Sequence, residues 1–237
     1  MTDHRLLIEF RKLFEGKKYL HRKSNLGDFV AMHLYEDLVA INKSDRYVLS
    51  VESMSSVLNV QNKRRGIEAR RGDGTFGELI VGEEPQIDPG YSVARGPVAT
   101  IEIGVEVKIL AKAMIKQIDR VKSDLANQVQ NFKHRAGSTN PICVGVVGIN
   151  YADQMTSYEG DRSNPTDGRI HKHPIQEAER ARLRLSDTAG MYDEFLILKF
   201  KARNQEPYRF EWVNERDTRQ DYVAALQRIS NEYQHRF

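Results

Sequence analysis

The stretch from Ala99 to Leu110, ATIEIGVEVKIL, alternates. Ile101, Ile103, Val105, Val107 and Ile109 take every second position, with Glu102, Gly104, Glu106 and Lys108 between them. A period of two belongs to an extended chain with one face against a core. The stretch therefore reads as a strand, and its charged residues share the face opposite the apolar one.

Other segments arrange themselves around this strand. Leu6, Leu7, Phe10, Leu13 and Phe14 have helical spacing, ended by Gly16. Ser24-Asn25-Leu26-Gly27-Asp28 supplies capping residues for a second helix carrying Phe29, Val30, Met32, Leu34, Leu38 and Val39. Residues 46–60 mix helix and strand signals. Phe76 to Gly82 reads as a strand, and Pro89-Gly90 and Gly96-Pro97 mark turns on either side of a short run from Tyr91 to Arg95. Lys112 to Arg135 has the longest helical pattern, with Met114, Ile118, Val121, Leu125, Val129 and Phe132 on one side. Pro141 to Ile149, PICVGVVGI, is an apolar, β-branched run of the kind buried on both faces of a sheet. Residues 151–167 read as a polar loop, Ile175 to Leu185 as a charged helix, Glu194 to Lys201 and Tyr208 to Val213 as a hairpin, and Asp217 to Tyr233 as a closing helix. Tyr208 and Trp212 share a hairpin face; aromatic residues at that spacing belong to a core more often than to a base-stacking surface.

The fold class is thus α/β with a mixed sheet. With 237 residues and no Pro/Ser-rich linker or repeat, a single domain is expected, its core at about 28–150 and a C-terminal addition at about 151–237. Hydrophobic residues make up 40% and charged residues 29%, which excludes a disordered chain. Cys143 is the only cysteine, so neither an internal disulfide nor a thiolate zinc cluster can form. No apolar run is long enough for a membrane span, and the first residues mix acid and base where a signal peptide needs an apolar core; a cytoplasmic protein is expected. The net charge of +3 only mildly favours an anionic partner.

The distribution of charge says more. Glu106 and Lys108 lie on one strand face with Cα atoms roughly 6.6 Å apart, and Glu102 lies roughly 13 Å from Glu106 at about 3.3 Å per residue. One magnesium ion, binding oxygen at about 2.1 Å, does not bridge that gap. Glu106 is therefore the candidate ligand and Glu102 an outer-sphere or DNA-facing residue. Glu15-Gly16-Lys17 repeats the Glu-x-Lys spacing in a helix-to-turn context, so the triplet alone decides little. An upstream acid adds weight. Folding the chain about Gly96-Pro97 brings Asp88 opposite Val105 and beside Glu106, and Asp73 in Gly72-Asp73-Gly74 is the alternative first acid. Lys63, Arg64, Arg65, Arg70 and Arg71 put five cations into nine positions, suited to phosphate contacts beside an acidic site or to a solvated loop.

Asp88, Glu106 and Lys108, with Pro85 near the first acid, resemble the signature of the PD-(D/E)xK nuclease superfamily over about residues 28–150. The family's Pro-Asp pair is here separated by two residues. The resemblance implies a restriction-endonuclease-like αβββαβ core with flanking helices and, beyond it, the C-terminal hairpin and helix. It implies metal-dependent hydrolysis of DNA phosphodiesters leaving a 5′-phosphate, most plainly by a type II restriction or phage-defence nuclease acting as a homodimer on double-stranded DNA. Asp88 and Glu106, with the Val107 carbonyl, would hold Mg2+, with Mn2+ as a substitute, while Lys108 would place water or counter charge. Glu36 on the second helix and Gln128 on the long helix are accessory candidates; Gln128-x-x-x-Phe132 matches half of a Gln-x-x-x-Tyr pattern found in some branches. His171 and His173 stand without further ligands nearby in sequence and read as solvated. The rival reading is a catalytically inactive nucleic-acid-binding or assembly module on the same fold.

Overall fold

Apolar positions at two periodicities find one sheet to pack against. The computed structural model describes residues 4–19, 26–59, 63–64, 67–70, 72–111, 114–134, 140–152, 155–159, 162–166 and 178–237. Three helices lead: α1 (Arg5–Lys12), α2 (Leu26–Ile41) and α3 (Asp45–Glu52). Next come β1 (Ser56–Asn59), the small hairpin β2 (Lys63–Arg64) and β3 (Ile67–Arg70), then β4 (Gly74–Glu78), β5 (Arg95–Gly96) and β6 (Ile103–Leu110). The chain continues through α4 (Met114–His134), β7 (Ile142–Asn150), the hairpin β8 (Met155–Glu159) and β9 (Arg162–Thr166), α5 (Ala178–Arg184) and α6 (Ser186–Ala189). It closes with β10 (Glu194–Ala202), β11 (Phe210–Trp212) and α7 (Glu215–Arg236).

Seven strands form a mixed sheet in the order β11-β10-β7-β6-β4-β1-β5. β6, β7 and β10 run parallel, with Glu106 beside Gly145 and Gly145 beside Phe195. β4 is antiparallel to both β6 and β1. A helix must carry the chain back between parallel neighbours, and α4 does so between β6 and β7. No helix among the described residues is long and apolar enough to cross a membrane.

The two sheet faces bury different helices. Ile103, Val105 and Val107, with Val144, Val146 and Leu198, pack against α1, α2 and α7. Leu110, Cys143, Val147 and Ile149 pack against α4 and α5 through Ile118, Leu125 and Ala181. Burying each large aliphatic side chain contributes about 1.5–3 kcal/mol. Capping defines two helices that the apolar pattern leaves loosely bounded. The Ser44 hydroxyl accepts from the Tyr47 N–H at the start of α3 (3.2 Å), and the Asn214 side chain accepts from the Asp217 N–H at the start of α7 (3.1 Å).

Several sequence expectations change. Residues 46–60 divide into α3 and β1. Residues 151–167 carry β8 and β9 rather than only a loop, while residues 167–177, with His171 and His173, lie outside the described residues. The three sheet strands ahead of α4 are β1, β4 and β6 apart from the two-residue β5, and the Tyr91–Arg95 run contributes only the edge pairing of β5 with β1. Trp212 is half-buried and packs against the core, its ring stacked on Phe10 at 5.5 Å and edge-on to Phe210 at 4.9 Å. β6 itself is buried on both faces over most of its length, not half-exposed.

Candidate active site

Glu106 projects from β6 on the α4 side of the sheet, only 6% exposed. Lys108, two residues on and on the same face, donates from Nζ to Glu106 Oε1 at 2.5 Å. The room they occupy exists because their neighbours are small. Gly145 stands beside Glu106 on β7, with the rings of Tyr192 and Phe195 against it, and Gly104 lies under the Phe132 ring. The Tyr192 hydroxyl donates to the Leu125 carbonyl at 2.9 Å, tying this wall to α4.

The second acid comes from Asp73, immediately before β4. Gly74 pairs with Val105, so Asp73 stands next to Glu106. Two hydrogen bonds fix it: its N–H donates to the Val105 carbonyl (3.1 Å), and its Oδ2 accepts from the Val107 N–H (2.7 Å). Gly72 makes this approach possible. Its φ is +68°, and a Cβ there would sit 2.8 Å from the Phe132 ring.

Asp88 does not fill this position, because Val105 is flanked by Gly74 and Val144 rather than by the Asp88 loop. The Asp88 carboxylate pairs with Arg95 Nε at 2.7 Å, and Gln86 bridges to Arg95 through the backbone. Turn signals at Pro89-Gly90 and Gly96-Pro97 mark a loop that folds on itself, not a hairpin that reaches β6. The other sequence candidates separate clearly. Glu36 is buried and accepts from the N–H groups of Ser92 and Val93 (3.0 and 2.9 Å), so it fastens α2 to that loop. Glu102 accepts from the Ser56 hydroxyl (2.9 Å) and the Tyr233 hydroxyl, a tie between sheet and α7 rather than a DNA-facing group. Gln128 is buried on α4 one turn before Phe132. Val107 contributes its N–H to Asp73. Lys63 and Arg64 lie in β2 and Arg70 in β3, which packs against α4; Arg65 and Arg71 fall outside the described residues.

The electrostatics follow from crowding two acids out of water. Burial, reinforced by the Asp73 carboxylate, pushes the Glu106 carboxyl up to about 7 against the opposing pull of Lys108. Burial on its own would lower Lys108, but the charge and hydrogen bond of Glu106 outweigh it and hold the ammonium above its ordinary value. Asp124 on α4 acts on both groups in the same sense as Asp73. It escaped the sequence reading, although it stands one helical turn before Gln128; nothing in the sequence pointed to Tyr192.

Among the described residues no three His, Cys, Asp or Glu side chains gather as a ready metal cage. Asp73 and Glu106 are instead a pair of hard oxygen donors held close together at electrostatic cost. Such a pair suits a hard cation that keeps part of its water shell, as Mg2+ does. Comparison with protein-family models, curated proteins and solved structures finds no match for this chain.

Proposed function

We propose that this chain is a Mg2+-dependent deoxyribonuclease of the PD-(D/E)xK kind, with Asp73, Glu106 and Lys108 as its working residues. One observation carries the reading. The Asp73 carboxylate is fastened by the Val107 N–H beside Glu106, and Lys108 donates to the Glu106 carboxylate. Two strands thus deliver acid, acid and lysine to one place, which is the functional content of the signature even though Gly72 replaces its proline. With α3, the β2/β3 pair and the two-residue β5 set aside as additions, α2, β1, β4, β6, α4 and β7 follow the helix, three strands, helix and strand of an αβββαβ core, which supports the reading.

Asp73 and Glu106 would hold the ion, which when bound supplies an activated water and a counter-charge for the leaving oxygen. Lys108, which donates to Glu106 in the structure, would orient water or face a phosphate oxygen. β3, which includes Arg70, lies beside α4, and the basic run would supply phosphate contacts to a duplex bound there. A restriction or phage-defence role, a homodimer with one site per strand and a cytoplasmic location complete the proposal.

The test is incubation of supercoiled plasmid and linear phage DNA with Mg2+ or with EDTA, using wild type and Asp73→Ala, Asp88→Ala, Glu106→Ala and Lys108→Ala. Metal-dependent cutting that survives Asp88→Ala and disappears in the other three is the expected result. Undiminished cutting by Asp73→Ala and Glu106→Ala would remove the site. Salt-sensitive DNA binding without cutting under any metal would favour the binding-module alternative.

A further inference from the structure

Asp73 is approached from below as well as from β6. Gly27, in the first turn of α2, lies so near its side chain that a Cβ at position 27 would stand 2.2 Å from Oδ1 and 2.4 Å from Cγ. Real Cβ contacts are never that short. The helix cannot easily back away to make room. Ala31, one turn on, already lies against Gly74, 2.8 Å from where a Cβ on that glycine would be. Tyr35, another turn on, donates toward the carbonyls of Ile103 (3.1 Å) and Gly74 (3.3 Å). Residues 27, 31 and 35 therefore form one helix face clamped onto the start of β4 and onto β6. The backbone at Asp73 cannot retreat either, since Gly72 is wedged against Phe132 and the Asp73 N–H is held by Val105. With both backbones fixed, any added atom at position 27 must turn the Asp73 carboxylate away from the Val107 N–H.

We infer that Gly27 is a positioning residue: the absence of a side chain there lets the Asp73 carboxylate stand beside Glu106, so that cation affinity depends on a hydrogen at position 27. The inference rests on the reading of Asp73 and Glu106 as the metal pair. Its chemistry separates from ordinary stability, because alanine is the better helix former. A glycine kept only for packing would lose stability and keep its metal affinity when replaced, whereas a positioning glycine loses metal binding while the fold stays intact.

Mn2+ titration by calorimetry on the full chain tests this, with wild type, Gly27→Ala, Asp73→Ala, the double variant, and Gly190→Ala as a control. Gly190 has φ −64° and no atom nearer than 3.8 Å to the added Cβ. Gly27→Ala is expected to weaken Mn2+ by about tenfold or more, to shift the Val107 amide resonance, and to move the melting temperature by less than about 4 °C. Adding it to Asp73→Ala is expected to cost nothing further. Wild-type affinity in Gly27→Ala would overturn the inference while leaving the metal pair standing. A wild-type protein that binds no Mn2+ would overturn both. If Gly27→Ala alone melts too low to titrate, the double variant decides: a recovered melting temperature locates the clash at the Asp73 carboxylate, and no recovery overturns the inference.

Discussion

Glu102 and Glu106 lie four residues apart on the chain, both almost fully buried, and they end in opposite circumstances. Glu102 meets neutral donors, the hydroxyls of Ser56 and Tyr233, which satisfy its oxygens, and the Glu78 carboxylate acts on it only as the smallest of its influences. Glu106 meets a lysine and a second carboxylate. Burial raises both carboxyls above their ordinary value. The first is a cross-brace between sheet and C-terminal helix, whereas the second keeps a repulsion from Asp73 that Lys108 offsets only in part. Burial by itself therefore does not mark a working acid. What marks it is the charge of the groups around it.

The comparison can be broken most directly by substitution. Glu106→Gln should abolish Mg2+-dependent cleavage, by about a thousandfold or more, while leaving chemical denaturation unchanged or shifted to higher stability. Glu102→Ala should do the reverse. It removes the acceptor of the Ser56 and Tyr233 hydroxyls and costs about 2–3 kcal/mol in urea unfolding, with the specific activity of the folded fraction within a few-fold of wild type. Loss of chemistry in the Glu102 variant at full stability would erase the distinction.

A smaller effect concerns pH. The folded state holds a proton on Glu106 up to about 7, whereas the unfolded chain releases it near 4.5. That contribution is therefore complete below about 4.5 and is lost as pH rises through 7. The metal-free protein should melt progressively lower across that interval. Glu106→Gln should flatten the part of the profile that ends near 7, and Mg2+ should restore the lost stability at the upper end. A profile identical in wild type and Glu106→Gln would place the titration elsewhere. The smallest effect sharpens the comparison from the Glu102 side: Tyr233→Phe removes one of its two donors and should cost about 1 kcal/mol, measured by thermal melting, with Mn2+ affinity unchanged.

Much of this was legible in the sequence, for reasons tied to particular residues. Alternation fixed the strand around Glu106, and a strand's pleat places Glu106 and Lys108 on one face whatever surrounds it. The unbroken apolar run at 141–149 required a strand covered on both sides, and the helical period from Met114 to Phe132 required a helix able to cover it. These are local consequences of backbone geometry, and they hold in any fold that contains them. The choice between Asp73 and Asp88 was of another kind. Both stand beside turn residues and both precede β6, and folding the chain about Gly96-Pro97 favoured Asp88. Only the pairing of Gly74 with Val105 and the hydrogen bond from Val107 select Asp73, and pairing between strands about thirty residues apart is decided by how the whole sheet packs. The same holds for the contrast between Glu102 and Glu106. Glu106 lies in β6 and Glu102 just ahead of it, but Tyr233 arrives from the far end of the chain and Asp73 from the approach to β4. The environment of a charge is set by groups distant in sequence, so tertiary structure alone decided which glutamate braces the fold and which stands between a lysine and a second carboxylate.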